Sequence, residues 1–127
     1  MLDIQIKTIP HDEQRYPTVG DYWLDPVTGR LEIRVSDMGN WKYEALVAIH
    51  ELAEYLQITH EGVPIEDIDR FDIEFERGRR SDDFSEPGNN PQAPYFLAHQ
   101  VATCIEAMMA NRLGVDWNDY DKKVNEL

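Results

Sequence analysis

His50, Glu51 and Glu54 stand in the stretch AIHELAEYL at residues 48–56, and their spacing could do metal chemistry. Residues four apart on a helix share a face, with Cβ atoms about 5–6 Å apart. An imidazole nitrogen and a carboxylate oxygen on that face can chelate one ion, and both suit zinc. The pattern is one residue away from the metal motif H-E-x-x-H, with glutamate where the second histidine belongs. A third donor comes from His99, which projects with Ala102, Thr103, Glu106 and Met109 from one face of a second helix. His50, Glu54 and His99 make a two-histidine, one-carboxylate set that leaves a coordination position for water, as a catalytic zinc does. Glu51, beside the metal-binding histidine, then occupies the place of a general base. Glu106 lies two turns from His99, about 10 Å along the axis. It cannot share the ion, so it is placed as an outer partner that orients a ligand histidine.

Each residue also has an ordinary role open to it. His50 can be a core-edge histidine bonded to a backbone group or a tyrosine. Glu54 can be solvated helix surface, and Glu106 can pair with Arg112. His11 and His60 read as surface residues, Trp23 and Trp41 as core, and Cys104 as a buried thiol in an apolar segment. Asp82, Asp83 and Glu86 read as a solvated acidic loop.

The elements that must position these residues follow from period and punctuation. Residues 2–9 alternate, with Leu2, Ile4 and Ile6 pointing one way, which is the period of a half-buried strand. GDYWL and RLEIRV form the arms of a hairpin around DPVTG, with Leu31, Ile33 and Val35 inward. The period then changes. Asp37 or Asn40 caps a helix that runs to about Ile58, with Trp41, Ala45, Ile49, Leu52, Ala53 and Leu56 as its core stripe. A short helix over residues 64–75 carries proline in its first turn. Residues 77–94 are polar, rich in glycine and proline, and expected to be mobile and to border the site. A second long helix runs from Pro94 to Leu113, and Asp116 caps a final turn. Strands followed by helices give an α+β fold: a small antiparallel N-terminal sheet, then two long helices and short helical segments. The 127 residues suit a single domain, 1–127, with a sheet region at 1–36 and a helical region carrying the site at 37–127.

Composition bounds the partners. Twenty-five acidic against 12 basic residues leave a net charge of -13, which repels a phosphate backbone and argues against nucleic acid. No apolar run is long enough to span a bilayer, and MLDIQIKTI lacks the basic and apolar regions of a signal peptide. A lone cysteine offers no internal disulfide. The expectation is a soluble cytoplasmic protein, with no membrane partner and no indication of oligomeric state.

Glu51, Glu54, Glu66 and Asp69 also read E-x-x-E followed by E-x-x-D. That pattern looks like the magnesium site of the all-α nucleotide pyrophosphatases. The block from HELAEYL through DRFD, then EPGNNPQAPYFLAHQVATCIEAMMANRLGVDW, resembles short proteins encoded by bacteriophages and prophages. Its matching features are His50, Glu51, Glu54, Asp72, the proline-punctuated EPGNNPQAPY, His99 and Glu106. The order of strands before an H-E helix also resembles a minimal zincin. These likenesses imply a zincin-like, metal-dependent hydrolase acting on a peptide or protein, with zinc or another divalent cation on His50, Glu54 and His99. Glu51 would be its base, and Glu106 and Asp72 would stand behind the ligands. A non-catalytic phage accessory or assembly protein with a structural metal is the alternative, and a magnesium-dependent pyrophosphatase the second.

Overall fold

The alternating stretch at residues 31–36 becomes the central strand of a three-stranded sheet in the computed structural model, which describes residues 1–127. The strands β1 (Ile4–Ile9), β2 (Gly20–Leu24) and β3 (Leu31–Ser36) are followed by four helices. These are α1 (Trp41–Glu61), α2 (Ile65–Arg77), α3 (Phe96–Arg112) and α4 (Trp117–Asn125), an α+β arrangement. The hairpin of β2 and β3 is present, with Tyr22 opposite Ile33. Its turn is held by Asp25 Oδ1, which accepts from the amides of Val27 (2.8 Å) and Thr28 (2.9 Å), and Gly29 takes the left-handed φ of 74° that closes it. β1 lies on the other side of β3 and runs parallel to it, because the chain reverses twice between them. The sheet is therefore mixed, not wholly antiparallel.

Leu31, Ile33 and Val35 are fully buried, and α1 packs over β2 and β3. β1 is left at an open edge. Of the row Leu2, Ile4 and Ile6 expected to share one side of a half-buried strand, Ile4 is half-buried while Leu2 and Ile6 are exposed.

Helix α1 starts at Asn40, whose side chain accepts from the amides of Lys42 (3.0 Å) and Tyr43 (3.3 Å). It ends at Gly62 in the left-handed region, φ 76°. Its buried residues are Leu46, Val47, Ala48, His50, Glu54 and Ile58. The expected stripe lies a step round the helix: none of Trp41, Ala45, Ile49, Leu52, Ala53 and Leu56 is fully buried, and Trp41 and Leu56 are exposed. α1 is apolar on two faces, and the sheet covers the one that holds the ligand pair.

Ala98, Ala102 and Ala110 are buried on α3, and such small side chains let it approach α1 closely. The two run antiparallel. Lys42 Nζ donates to Leu113 O (2.9 Å) at one end and Gln57 Nε2 to Ala98 O (3.1 Å) at the other. Cys104 points away from this contact and is exposed, so it is not the core thiol the apolar segment suggested. α2 begins directly after Pro64, and α4 is capped by Asp116, which accepts from the Asp119 amide at 3.0 Å.

Candidate metal centre

The antiparallel contact of α1 with α3 brings His50, Glu54 and His99 together in the interior, all three buried. His50 Nε2 lies 3.1 Å from His99 Nδ1 and 3.2 Å from Glu54 Oε2, and His99 Nδ1 lies 3.0 Å from that same oxygen. Three donor atoms thus form a nearly equilateral triangle. Tetrahedral zinc, with bonds of about 2.0–2.1 Å, spaces its ligand atoms about 3.3 Å apart. The triangle has to open by only about 0.2–0.3 Å to accept such an ion.

The remaining heteroatom of each residue is held from behind. His50 Nδ1 is 2.7 Å from Glu106 Oε1, and Glu106 Oε2 accepts from the Tyr120 hydroxyl at 2.5 Å. A carboxylate only accepts, so Nδ1 carries a proton, and Nε2 is the nitrogen that would bind an ion in the triangle. Glu54 Oε1 accepts from the Tyr22 hydroxyl at 2.8 Å, which leaves Oε2 for the cluster. Glu86 Oε2 lies 2.7 Å from His99 Nε2, but off the line of a hydrogen bond, so the contact is an ion pair and the nitrogen has no hydrogen-bond partner. Gly88 backs the same ring. A Cβ there would lie 2.4 Å from His99 Cγ, so only glycine lets this backbone pass.

Charge is concentrated accordingly. Burial opposes protonation of His50, but the bonds from Glu106 and Glu54 outweigh it and raise its pKa well above the ordinary value. Burial opposes protonation of His99 too, but its contact with Glu54 and the negative charge of Glu86 beside Nε2 raise it to about 9. Burial pushes the Glu54 carboxyl up, yet the two histidines hold it below its ordinary value. The pocket is therefore organised to hold positive charge, as protons or as a cation.

These residues open onto a cavity of about 420 Å³ whose wall includes Glu51 and the segment from Arg79 to Gly88. Glu51 is half-buried there. Burial and the charge of Glu54 raise its pKa well above the carboxylate range. It lies against β2. A Cβ on Gly20 would stand 2.6 Å from Glu51 Oε1 and 2.7 Å from Val47 Cγ1. No fourth histidine, cysteine, aspartate or glutamate joins the three donors.

Asp72 does not stand behind a ligand. It accepts from the hydroxyls of Tyr95 (2.5 Å) and Tyr16 (3.1 Å), lines the same cavity, and touches no donor directly; Tyr95 stands between, its ring edge facing His99 at 6.0 Å. Glu86 is the opposite case: it belongs to the acidic loop read as solvated, and the fold turns it onto His99. Tyr22, Tyr120 and Gly88 also escaped the sequence. EPGNNP marked a loop that borders the site, but nothing local says which histidine it covers. The E-x-x-E and E-x-x-D carboxylates do not converge: Glu66 is exposed, and Asp69 pairs with Arg15 at 3.3 Å. His60 is exposed, as read, while His11 bonds Ser36 Oγ at 2.8 Å.

Comparison with protein-family models, curated proteins and solved structures gave no match to this chain. No helix is long and apolar enough to cross a membrane.

Proposed function

We propose that the protein is a zinc-dependent hydrolase of zincin-like type, with a peptide as substrate. One observation carries the reading: three buried donors converge to within 3.0–3.2 Å at a cavity wall, with no fourth protein ligand to close the site. A structural zinc is closed by four protein ligands, whereas a catalytic one keeps a position for water. His50, Glu54 and His99 hold the ion, which would supply Lewis acidity and lower the pKa of a bound water to about 7. Glu51, in the cavity wall, would serve as the base toward that water and would return the proton to a leaving amine. Glu106 fixes the His50 tautomer, and Tyr22 fixes the Glu54 carboxylate. β2 is an edge strand that lines the cavity, so an extended peptide can pair along it and present its carbonyl at the site.

Metal analysis of protein purified without chelator tests the ligands. The expected result is one zinc per chain, absent from the His50→Ala/His99→Ala variant; stoichiometric metal in that variant would refute the assignment. Glu51→Gln tests the chemistry against a peptide and ester library. It should keep metal and fold while losing hydrolysis by roughly a hundredfold or more. A variant as active as the wild type removes Glu51 from the mechanism.

A further inference from the structure

The face of the α1–α3 pair that points away from the sheet is apolar, and we infer that it is a homodimer interface in which two such pairs pack as a four-helix bundle. α1 contributes Trp41 and Leu56, with the half-buried Ile49 and Leu52 between them. The antiparallel α3 lays Leu97, Val101, Ile105 and Met108 alongside. A contiguous exposed apolar patch of this size marks an interaction surface. Here the sheet, α2 and α4 cover one side only. The stripe that the sequence period marks on α1 is therefore one that the single chain does not bury.

Size, charge and pattern select a second copy as the occupant. Those six large side chains are each 39–70% exposed and, with Ile49 and Leu52, form one patch on the order of the 800 Å² per partner that a standard stable interface buries. None of them is charged, although the chain carries 25 acidic residues and a net charge of -13. Two copies repel one another wherever carboxylates meet, and a face free of them is where they can approach. The same charge disfavours an anionic membrane. Leu97, Val101, Cys104 and Met108 follow one another at spacings of four, three and four, the seam of helices packed at about 20°. A two-fold axis across that seam is self-complementary, pairing Leu97 with Met108 and Val101 with Cys104. The dimer makes no use of the metal site and stands independently of it.

Sedimentation equilibrium of the full chain, with and without added zinc, tests the inference. The expected mass is twice 14.8 kDa. Val101→Glu and Met108→Glu replace exposed side chains, so each should keep its far-UV circular dichroism and sediment at 14.8 kDa. Cys104 should react with iodoacetamide more slowly in the wild type than in either variant. A wild type that stays at 14.8 kDa into the high micromolar range overturns the inference. If that monomer floats with neutral phosphatidylcholine vesicles, the face belongs to a membrane instead. Variants that remain dimeric place the interface elsewhere and overturn it equally.

Discussion

Glu106→Gln should weaken metal binding by a defined route. In the wild type, Glu106 receives two protons from opposite sides, from His50 Nδ1 (2.7 Å) and from the Tyr120 hydroxyl (2.5 Å). Glutamine has one oxygen and one NH2 in the same space. If the oxygen stays with Tyr120, the NH2 faces His50 Nδ1. The imidazole proton then moves to Nε2, into the triangle of donors, and that lone pair is lost to the metal. Replacing a carboxylate behind a ligand histidine costs about 10–100-fold in metal affinity, or about 1.4–2.7 kcal/mol. Tyr120→Phe removes the competing donor, so glutamine can turn its oxygen to His50. The double variant Glu106→Gln/Tyr120→Phe should therefore bind metal more tightly than Glu106→Gln alone. Competition of zinc between protein and a chromophoric chelator gives the affinities, and thermal melting of the metal-free proteins controls for folding. Two results would refute the reasoning: an affinity for Glu106→Gln within threefold of the wild type, or a double variant no tighter than the single.

Gly88→Ala should lower zinc affinity by about tenfold or more, since its Cβ would lie 2.5 Å from His99 Nδ1, whereas Gly78→Ala, whose nearest neighbours would be 3.8 Å away, should leave affinity unchanged. Equal affinities in a chelator competition would remove Gly88 from the site. Burial raises the Asp72 carboxyl from 3.8 to about 7, so its protonated form favours the fold. That stabilisation is full below pH 3.8 and is lost as pH rises through about 7. Urea unfolding at pH 5 and 8.5 should find the wild type losing on the order of 2–3 kcal/mol relative to Asp72→Asn, and a pH-independent difference would contradict this. Hydrogen exchange should be fastest in residues 77–94, where side chains rather than a long helix or a sheet ladder tie the loop: Arg79 to the carbonyls of Asp83 (2.6 Å) and Ser85 (2.8 Å), and Gln100 to Asn89 Oδ1 (2.9 Å). Slow exchange throughout that segment would show it to be as rigid as the helices.

Much of the local structure was legible because it depends on near neighbours. The hairpin around DPVTG, the Asn40 cap, the helix after Pro64 and the Asp116 cap are each decided by groups a few residues apart. The pairing of His50 with Glu54 has the same origin, since helical geometry alone puts residues four apart on one face. Period does not choose between two apolar faces of a helix. α1 carries both the stripe from Trp41 to Leu56 and the face from Leu46 to Ile58, and only the sheet decides which one is buried. The edge position of β1, which exposes Leu2 and Ile6, was likewise settled by strand order.

The donors' surroundings came from tertiary structure alone. Glu106 and Tyr120 are 56 and 14 residues from the groups they bond, and Glu86 reaches His99 from a loop whose composition reads as solvent-facing. Asp72 was placed near the ligands on likeness, but the fold sets two tyrosine hydroxyls around it instead. Residue types and spacing along one helix determined which side chains could share an ion. The antiparallel docking of α3 on α1 decided that they meet at 3.0–3.2 Å, because a contact between distant residues depends on how whole helices pack, which no local spacing records.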